Sequence, residues 1–385
     1  MTMKKMPIQV LLVEDSPVAL VILKRILATS PDIEVVGTAH HGREALELIP
    51  KLQPQVICTD YHMPQMNGLE FTEEVMIRFP RPILVISASV QVEDTQTIFK
   101  MLNAGAVDVF PKPRSPSIEE YELLKQELIS KIKILSGVTV FTRHRRNTNI
   151  TTPADCTTRI TGSNYQAVNL ETKTNIPISR SPGMNLPSEN HYSKPRIVSI
   201  GASTGGPQAL NNILSQLPIN FPLPILCVQH ISEGFLQGLV DWLGTECQLP
   251  VKIAKFGEIP QPGVVYFPPE GRHLELDTFG KFVCSNSPPV SGHRPSVTVT
   301  FASVAKCYGA ANIAVLLTGM GRDGADGMLA IAQAGGITIA QNEASCVVFG
   351  MPKEAIALGA AKYILPINEI APMLLKQLKI ATGRN

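Results

Sequence analysis

The chain reads as α/β, with two doubly wound parallel-sheet domains at residues 1–137 and 195–385 joined by a long flexible linker at 138–194. Three observations predict this. Short apolar runs alternate with amphipathic stretches through both outer regions. The middle region has no such periodicity. A chain of 385 residues also exceeds what one ordinary core accommodates.

In the first region the apolar runs fall at 8–13, 34–39, 56–60, 82–88 and 106–110. They are nearly continuous rather than alternating, as expected of parallel strands shielded on both faces. Helical patterns lie between them at 17–28, 43–51, 69–78 and 93–103, and a final helix at 119–135 closes the unit. The linker is rich in Thr, Asn, Ser and Pro, with too little apolar surface to offset its ordering entropy. A coil of about 55 residues spans roughly 40 Å root-mean-square, which permits docked or separated domains. The basic cluster RHRR at 143–146 reads as solvated linker charge. Alternation resumes at Pro195, with strands expected at 197–200, 225–229, 313–317 and 337–340. A β-rich section at about 251–286 interrupts this second domain.

Composition excludes several classes. Hydrophobic residues at 44% and charged residues at 17% rule out a wholly disordered chain. A net charge of +2 gives no concentrated basic face, so nucleic acid is not an expected partner. The seven cysteines form no CxxC pair, and several lie in apolar runs, which fits buried reduced thiols better than disulfides or zinc. No run of about eighteen apolar residues marks a membrane span, and the N-terminal apolar stretch turns polar too early for a signal peptide. A cytoplasmic location without membrane insertion is expected.

The distinctive residues of the first domain all fall at carboxyl ends of strands, where open parallel sheets gather ligands. Glu14 and Asp15 end the first strand, Asp60 the third and Ser87 the fourth, and Lys112 follows the fifth. Any one carboxylate alone is better explained as a strand-end cap or loop residue. Together they form a cleft of mutually repelling acids, which a hard cation such as Mg²⁺ relieves. Asp60 would then serve as a nucleophile toward a phosphoryl group, with Lys112 and Ser87 binding the phosphate. The segments VLLVEDSP, VICTDYHMPQMNGLEF, VISA and GAVDVFPKP resemble the motif series of two-component receiver domains, whose fold is flavodoxin-like. That resemblance implies phosphorylation of Asp60 by a histidine kinase and Mg²⁺ held by Glu14, Asp15, Asp60 and the backbone of His62. The family often carries an aromatic residue three positions before the lysine. Here that position is Val109, and the aromatic is Phe110.

In the second domain, IVSIGASTGGPQAL reads as strand, glycine turn and helix, with Ser203 exposed in the turn and the helix N-terminus aimed at it. A phosphate loop, an α/β-hydrolase elbow and an inert Gly-Ser turn all have this shape. The phosphate loop lacks its lysine, and the α/β-hydrolase order of serine, acid, histidine differs from the order here. His230, ending one apolar run, and Asp323, after another, complete a nucleophile, base and acid set. His273, His293 and Asp326 are rivals. The segments IGASTGGPQAL, VQHI, PPEGRHLEL, SGHRPSV, LTGMGRDGADGM and AQNEASCVVFGMPKEA resemble the methylesterase domain of the chemotaxis response-regulator protein-glutamate methylesterases. The resemblance implies a Rossmann-like serine hydrolase with Ser203 as nucleophile, His230 as base and Asp323 as acid, with Thr204 and Met320 beside the oxyanion. It further implies demethylation of glutamate γ-methyl esters on methyl-accepting chemotaxis receptors and deamidation of receptor glutamines, hence adaptation. The phosphodonor would be a chemotaxis histidine kinase, and the esterase domain would need no cofactor. A regulator acting by binding alone is the competing class, and methanol release separates the two.

Overall fold

A strand buried at consecutive positions needs helices on both of its faces, and β1 (Ile8–Val13) is fully buried from Val10 to Val13. The structure is a computed structural model describing residues 6–87, 92–113, 118–140 and 194–379. After β1 come α1 (Pro17–Leu27), β2 (Ile33–Ala39), α2 (Gly42–Leu52), β3 (Val56–Thr59) and α3 (Gly68–Arg78). Then follow β4 (Ile83–Ser87), α4 (Val92–Ala104), β5 (Asp108–Pro111) and α5 (Ile118–Leu135). The five strands are parallel in the order β2-β1-β3-β4-β5, so the sheet reverses direction between β1 and β3. Side chains alternate across it. Val10 and Leu12 join Leu23, Ile26, Leu128 and Ile132 on the α1/α5 side, while Leu11 and Val13 join Ile49, Phe71 and Val75 on the other. The fifth strand starts two residues later than its apolar run. The N–H groups of Gly105 and Ala106 turn back onto Met101 O and end α4 instead.

The second domain runs β6 (Ile197–Ala202), α6 (Gly206–Leu214), β7 (Ile225–Gln229), α7 (Leu236–Glu246), β8 (Val251–Ile253), β9 (Val265–Phe267), β10 (His273–Leu276) and β11 (Phe282–Ser285). It continues α8 (Val297–Tyr308), β12 (Asn312–Leu316), α9 (Ala325–Gln333), β13 (Ile337–Gln341), α10 (Met351–Ala357), β14 (Tyr363–Leu365) and α11 (Ile367–Gln377). Seven strands form one parallel sheet in the order β14-β13-β12-β6-β7-β9-β8, with β6 near its centre. The β-rich section does not wholly interrupt this sheet. Its first two strands, β8 and β9, extend the edge beside β7, and only the antiparallel hairpin β10–β11 stands apart.

The described residues of both domains belong to one compact unit. Helix α4 lies against α7 and α6, where the Phe99 and Trp242 rings stack at 5.4 Å and 14°. From α6, Gln208 Nε2 donates to the carbonyls of Ala106 at 2.7 Å and Leu102 at 3.3 Å. The expected linker lies outside the described residues apart from its ends, as do its basic cluster and Cys156. The other six cysteines are free, and burial pushes Cys58 and Cys346 up to about 12, which keeps them thiols. Among the described residues no helix is long and apolar enough to cross a membrane.

Candidate active site

Two groups of polar residues sit at carboxyl ends of strands, one in each sheet. In the first, the reversal between β1 and β3 opens a crevice. Glu14 leaves β1 and Asp60 leaves β3, and the Asp60 N–H donates to Val13 O at 3.0 Å, which ties the two strand ends together. The oxygens of Glu14, Asp15 and Asp60 lie within 4.8 Å of one another. Lys112 follows β5, and its Nζ donates to Glu14 Oε1 and Asp60 Oδ2, each at 2.8 Å. Its backbone N–H donates to the carbonyl of buried Ser87 at 2.8 Å, setting the two beside each other. Burial and the Asp60 charge push the Glu14 carboxyl above its usual range, against the pull of Lys112. Burial works against the Lys112 ammonium too, but its bonds to Asp60 and Glu14 prevail and raise its pKa. The other Glu14 oxygen, Oε2, is buried without a partner. An orphaned carboxylate oxygen among three converging acids fits a small divalent cation.

In the second sheet, β6 has β7 on one side and β12 on the other. Ser203 follows β6, His230 follows β7 and Asp323 lies in the loop after β12, so three adjacent strand ends bring them to one edge. The Ser203 N–H donates to Thr318 O at 3.0 Å and the His230 N–H to Ala202 O at 3.0 Å, which fixes both backbones. His230 Nε2 lies 2.8 Å from Asp323 Oδ2. An ionised carboxylate only accepts, so this nitrogen carries the proton. Burial alone would raise the Asp323 pKa. Instead His230, the Ser296 hydroxyl and the Thr298 N–H hold it well below the usual carboxylate range. The other imidazole nitrogen, Nδ1, is buried with no hydrogen-bond partner, so the link to Ser203 is open. Catalytic hydrogen bonds are often loose before substrate arrives.

The neighbourhood of Ser203 is tight. A Cβ on Gly319 would fall 2.7 Å from Ser203 Cβ and 2.4 Å from Met351 Sδ, so only glycine lets the 319–320 loop approach. Among the hydrogen bonds of the described residues, neither the Thr204 nor the Met320 backbone N–H donates to a protein acceptor. Thr204 is buried, whereas the Met320 side chain is 47% exposed. The rivals are otherwise engaged. His273 is fully buried, accepting from Ser296 N and touching Pro288 O. Asp326 pairs with Arg322 at the surface. His293 is different, because its ring stacks on that of His230.

A family model described as CheB methylesterase matches residues 198–374, and one for the response regulator receiver domain matches 10–120. A protein-glutamate methylesterase/protein-glutamine glutaminase of Nitrosospira multiformis is 41% identical over 367 residues, covering 95% of this chain and 96% of that protein. A counterpart in Myxococcus xanthus is 38% identical over 99% of this chain and 100% of that one. The crystal structure of the Thermotoga maritima CheB methylesterase catalytic domain shares 43% identity and covers 47% of this chain and 98% of that one, with a TM-score of 0.46.

The chain belongs to the protein-glutamate methylesterase/protein-glutamine glutaminase family. Within this methylesterase framework, the contacts that shape the acid come from residues without distinctive chemistry of their own in the sequence. The Ser296 hydroxyl donates to Asp323 Oδ1 at 2.7 Å, and the N–H groups of Val297 and Thr298 add bonds of 2.7 and 3.0 Å. All three lie at the start of α8, whose N-terminal dipole also favours a carboxylate. Gln229 Nε2 clamps the carbonyls of Ser203 and His230 at 2.8 and 2.7 Å. The signal for the first group was the serine of SGHRPSV standing as an N-cap before an apolar helix. Gln229, within a buried strand, gave none.

Proposed function

We propose that this protein is a phosphorylation-switched hydrolase that demethylates glutamate γ-methyl esters of methyl-accepting chemotaxis receptors and deamidates receptor glutamines, so supplying adaptation. The observation that carries the reading is the His230–Asp323 bond beside Ser203 at three adjacent strand ends. Ser203 Oγ attacks the ester carbonyl while its proton passes to His230 Nδ1, and the Asp323 carboxylate stabilises the imidazolium that forms. The tetrahedral oxyanion receives the free N–H groups of Thr204 and Met320. Collapse expels methoxide, which takes the proton from His230 and leaves as methanol. Water, deprotonated by His230, then cleaves the acyl-serine and regenerates Ser203 with a free glutamate. A glutamine amide follows the same course and releases ammonia. These steps use no cofactor.

The receiver supplies the switch. Glu14, Asp15, Asp60 and the backbone of His62 would hold Mg²⁺, which when bound screens the charge between Asp60 and an incoming phosphoryl group. Asp60 is the acceptor, and a chemotaxis histidine kinase of the cytoplasm is the donor. Lys112 then exchanges part of its carboxylate pairing for the phosphate, and the Ser87 hydroxyl joins it. Methanol release from a methylated receptor fragment tests the reading. Ser203→Ala should lower turnover about 10⁴- to 10⁶-fold, with His230→Ala similar and the double variant little worse, because the residues act as one unit. Retention of over about a tenth of the rate without Ser203 would sink the assignment.

A further inference from the structure

The geometry points to His293 as a positioning residue for the hydrolysis proposed above, its ring clamping the imidazole of His230 from one face. The two ring centroids lie 3.8 Å apart and the planes differ by 8°. Free aromatic pairs prefer offset or edge-to-face packing with centroids about 4.5–7 Å apart, so a near-parallel stack this close is held by its surroundings. Both rings are in fact held. Val290 and His293 exchange two backbone hydrogen bonds of 3.0 and 3.1 Å around Ser291 and Gly292, whose φ values of 54° and 81° make a tight left-handed turn. Three residues further on, Ser296, Val297 and Thr298 grip Asp323, the carboxylate that also holds His230. One carboxylate thus anchors the base and the segment that carries its stacking partner.

The base needs this second contact. Its hydrogen bond to Asp323 fixes one atom, Nε2, and its Nδ1 has no partner. A ring held at one atom can still swing about that point and carry Nδ1 away from Ser203. A flat partner against its face removes that freedom and leaves the edge open.

The partner must also be uncharged, since an imidazolium beside His230 would oppose proton uptake. The groups facing His293 are His230 and Asp323 at the strand ends and Lys131 on α5 of the receiver. Burial, with His230 and Lys131 acting against Asp323, pushes His293 down to about 4. Near neutrality it therefore offers a π-face to the imidazolium formed when Ser203 is deprotonated, a favourable contact absent from the ground state.

The test uses the full-length chain with phosphodonor, Mg²⁺ and a methylated receptor fragment, and reads kcat and KM separately. His293→Leu fills the space without a ring, and His293→Phe keeps a ring without nitrogens. Expected is a loss of kcat of about 10- to 100-fold in His293→Leu at unchanged KM, the scale of a misplaced catalytic group. His293→Phe should stay within about threefold of the parent, with a pH profile superimposable on it from about pH 5 to 8, because His293 is already neutral there. Full activity in His293→Leu would overturn the clamp. Equal loss in both variants, with folding intact by circular dichroism, would make His293 a proton carrier instead. A Ser203→Ala enzyme that still turned over would refute the triad and leave the clamp without a base to position, so the two failures are told apart.

Discussion

At the scale of single residues, the site depends on close approach as much as on reactive groups. Gly319 has nothing to offer chemically, yet a methyl group there would collide with Ser203 Cβ, which cannot move without moving the Ser203 hydroxyl. Gly319→Ala is therefore expected to fold and to lower kcat about 10- to 100-fold, since displacements near 1 Å cost that much in positioned catalysis. Methanol release together with thermal unfolding checks this, and an unchanged kcat would separate the 319–320 loop from the site. Residues with distinctive chemistry were legible in the sequence, since Ser203, His230, Asp323, Asp60 and Lys112 stand where their apolar runs end. Residues acting through shape or backbone contact were not. Gln229 reads as one more strand residue, and the His293 stack depends on a turn that joins positions far apart in the chain.

At the scale of elements, most boundaries were legible because buried parallel strands announce themselves as unbroken apolar runs. The exceptions have local causes. Ala106 is as apolar as a strand residue but its N–H is taken up in ending α4, and β8 and β9 look like part of a separate β region because three-residue strands carry little periodicity. The packing of α4 on α6 and α7 was not legible at all. It matters because α6 starts three residues after Ser203, and Gln208 on that helix holds the carbonyls at the end of α4. The receiver and Ser203 are thus two contacts apart. Phe99→Ala and Gln208→Ala should each loosen this docking. An aromatic pair contributes about 0.5–1.5 kcal/mol, so basal turnover without phosphodonor should rise roughly two- to tenfold, while the stimulated maximum stays the same. Unchanged basal rates in both would remove this contact from the control of the enzyme.

At the scale of the whole molecule, the receiver lies against the hydrolase with α4 on α6 and α7, and with Lys131 of α5 close enough to act on His293. This supports a resting state in which the receiver covers the site and phosphorylation lifts it. A phosphoryl group adds up to about two negative charges at Asp60, and a shift of about 1.4 kcal/mol changes a docking equilibrium tenfold. The full chain should start slow and accelerate with a small phosphodonor and Mg²⁺, Asp60→Asn should not respond, and a fragment beginning near Lys194 should be fast and indifferent. Equal rates for chain and fragment without phosphodonor would refute occlusion, and a slower fragment would make the receiver an activator. Trp242, the only tryptophan in the sequence, is 3% exposed and stacked on Phe99 of the receiver. The protein therefore carries its own optical reporter at the contact that parts if phosphorylation lifts the receiver. Release of the receiver would bring the indole into water and shift its emission to the red, so the opening can be followed in the native chain, without a label, on the same time axis as methanol release.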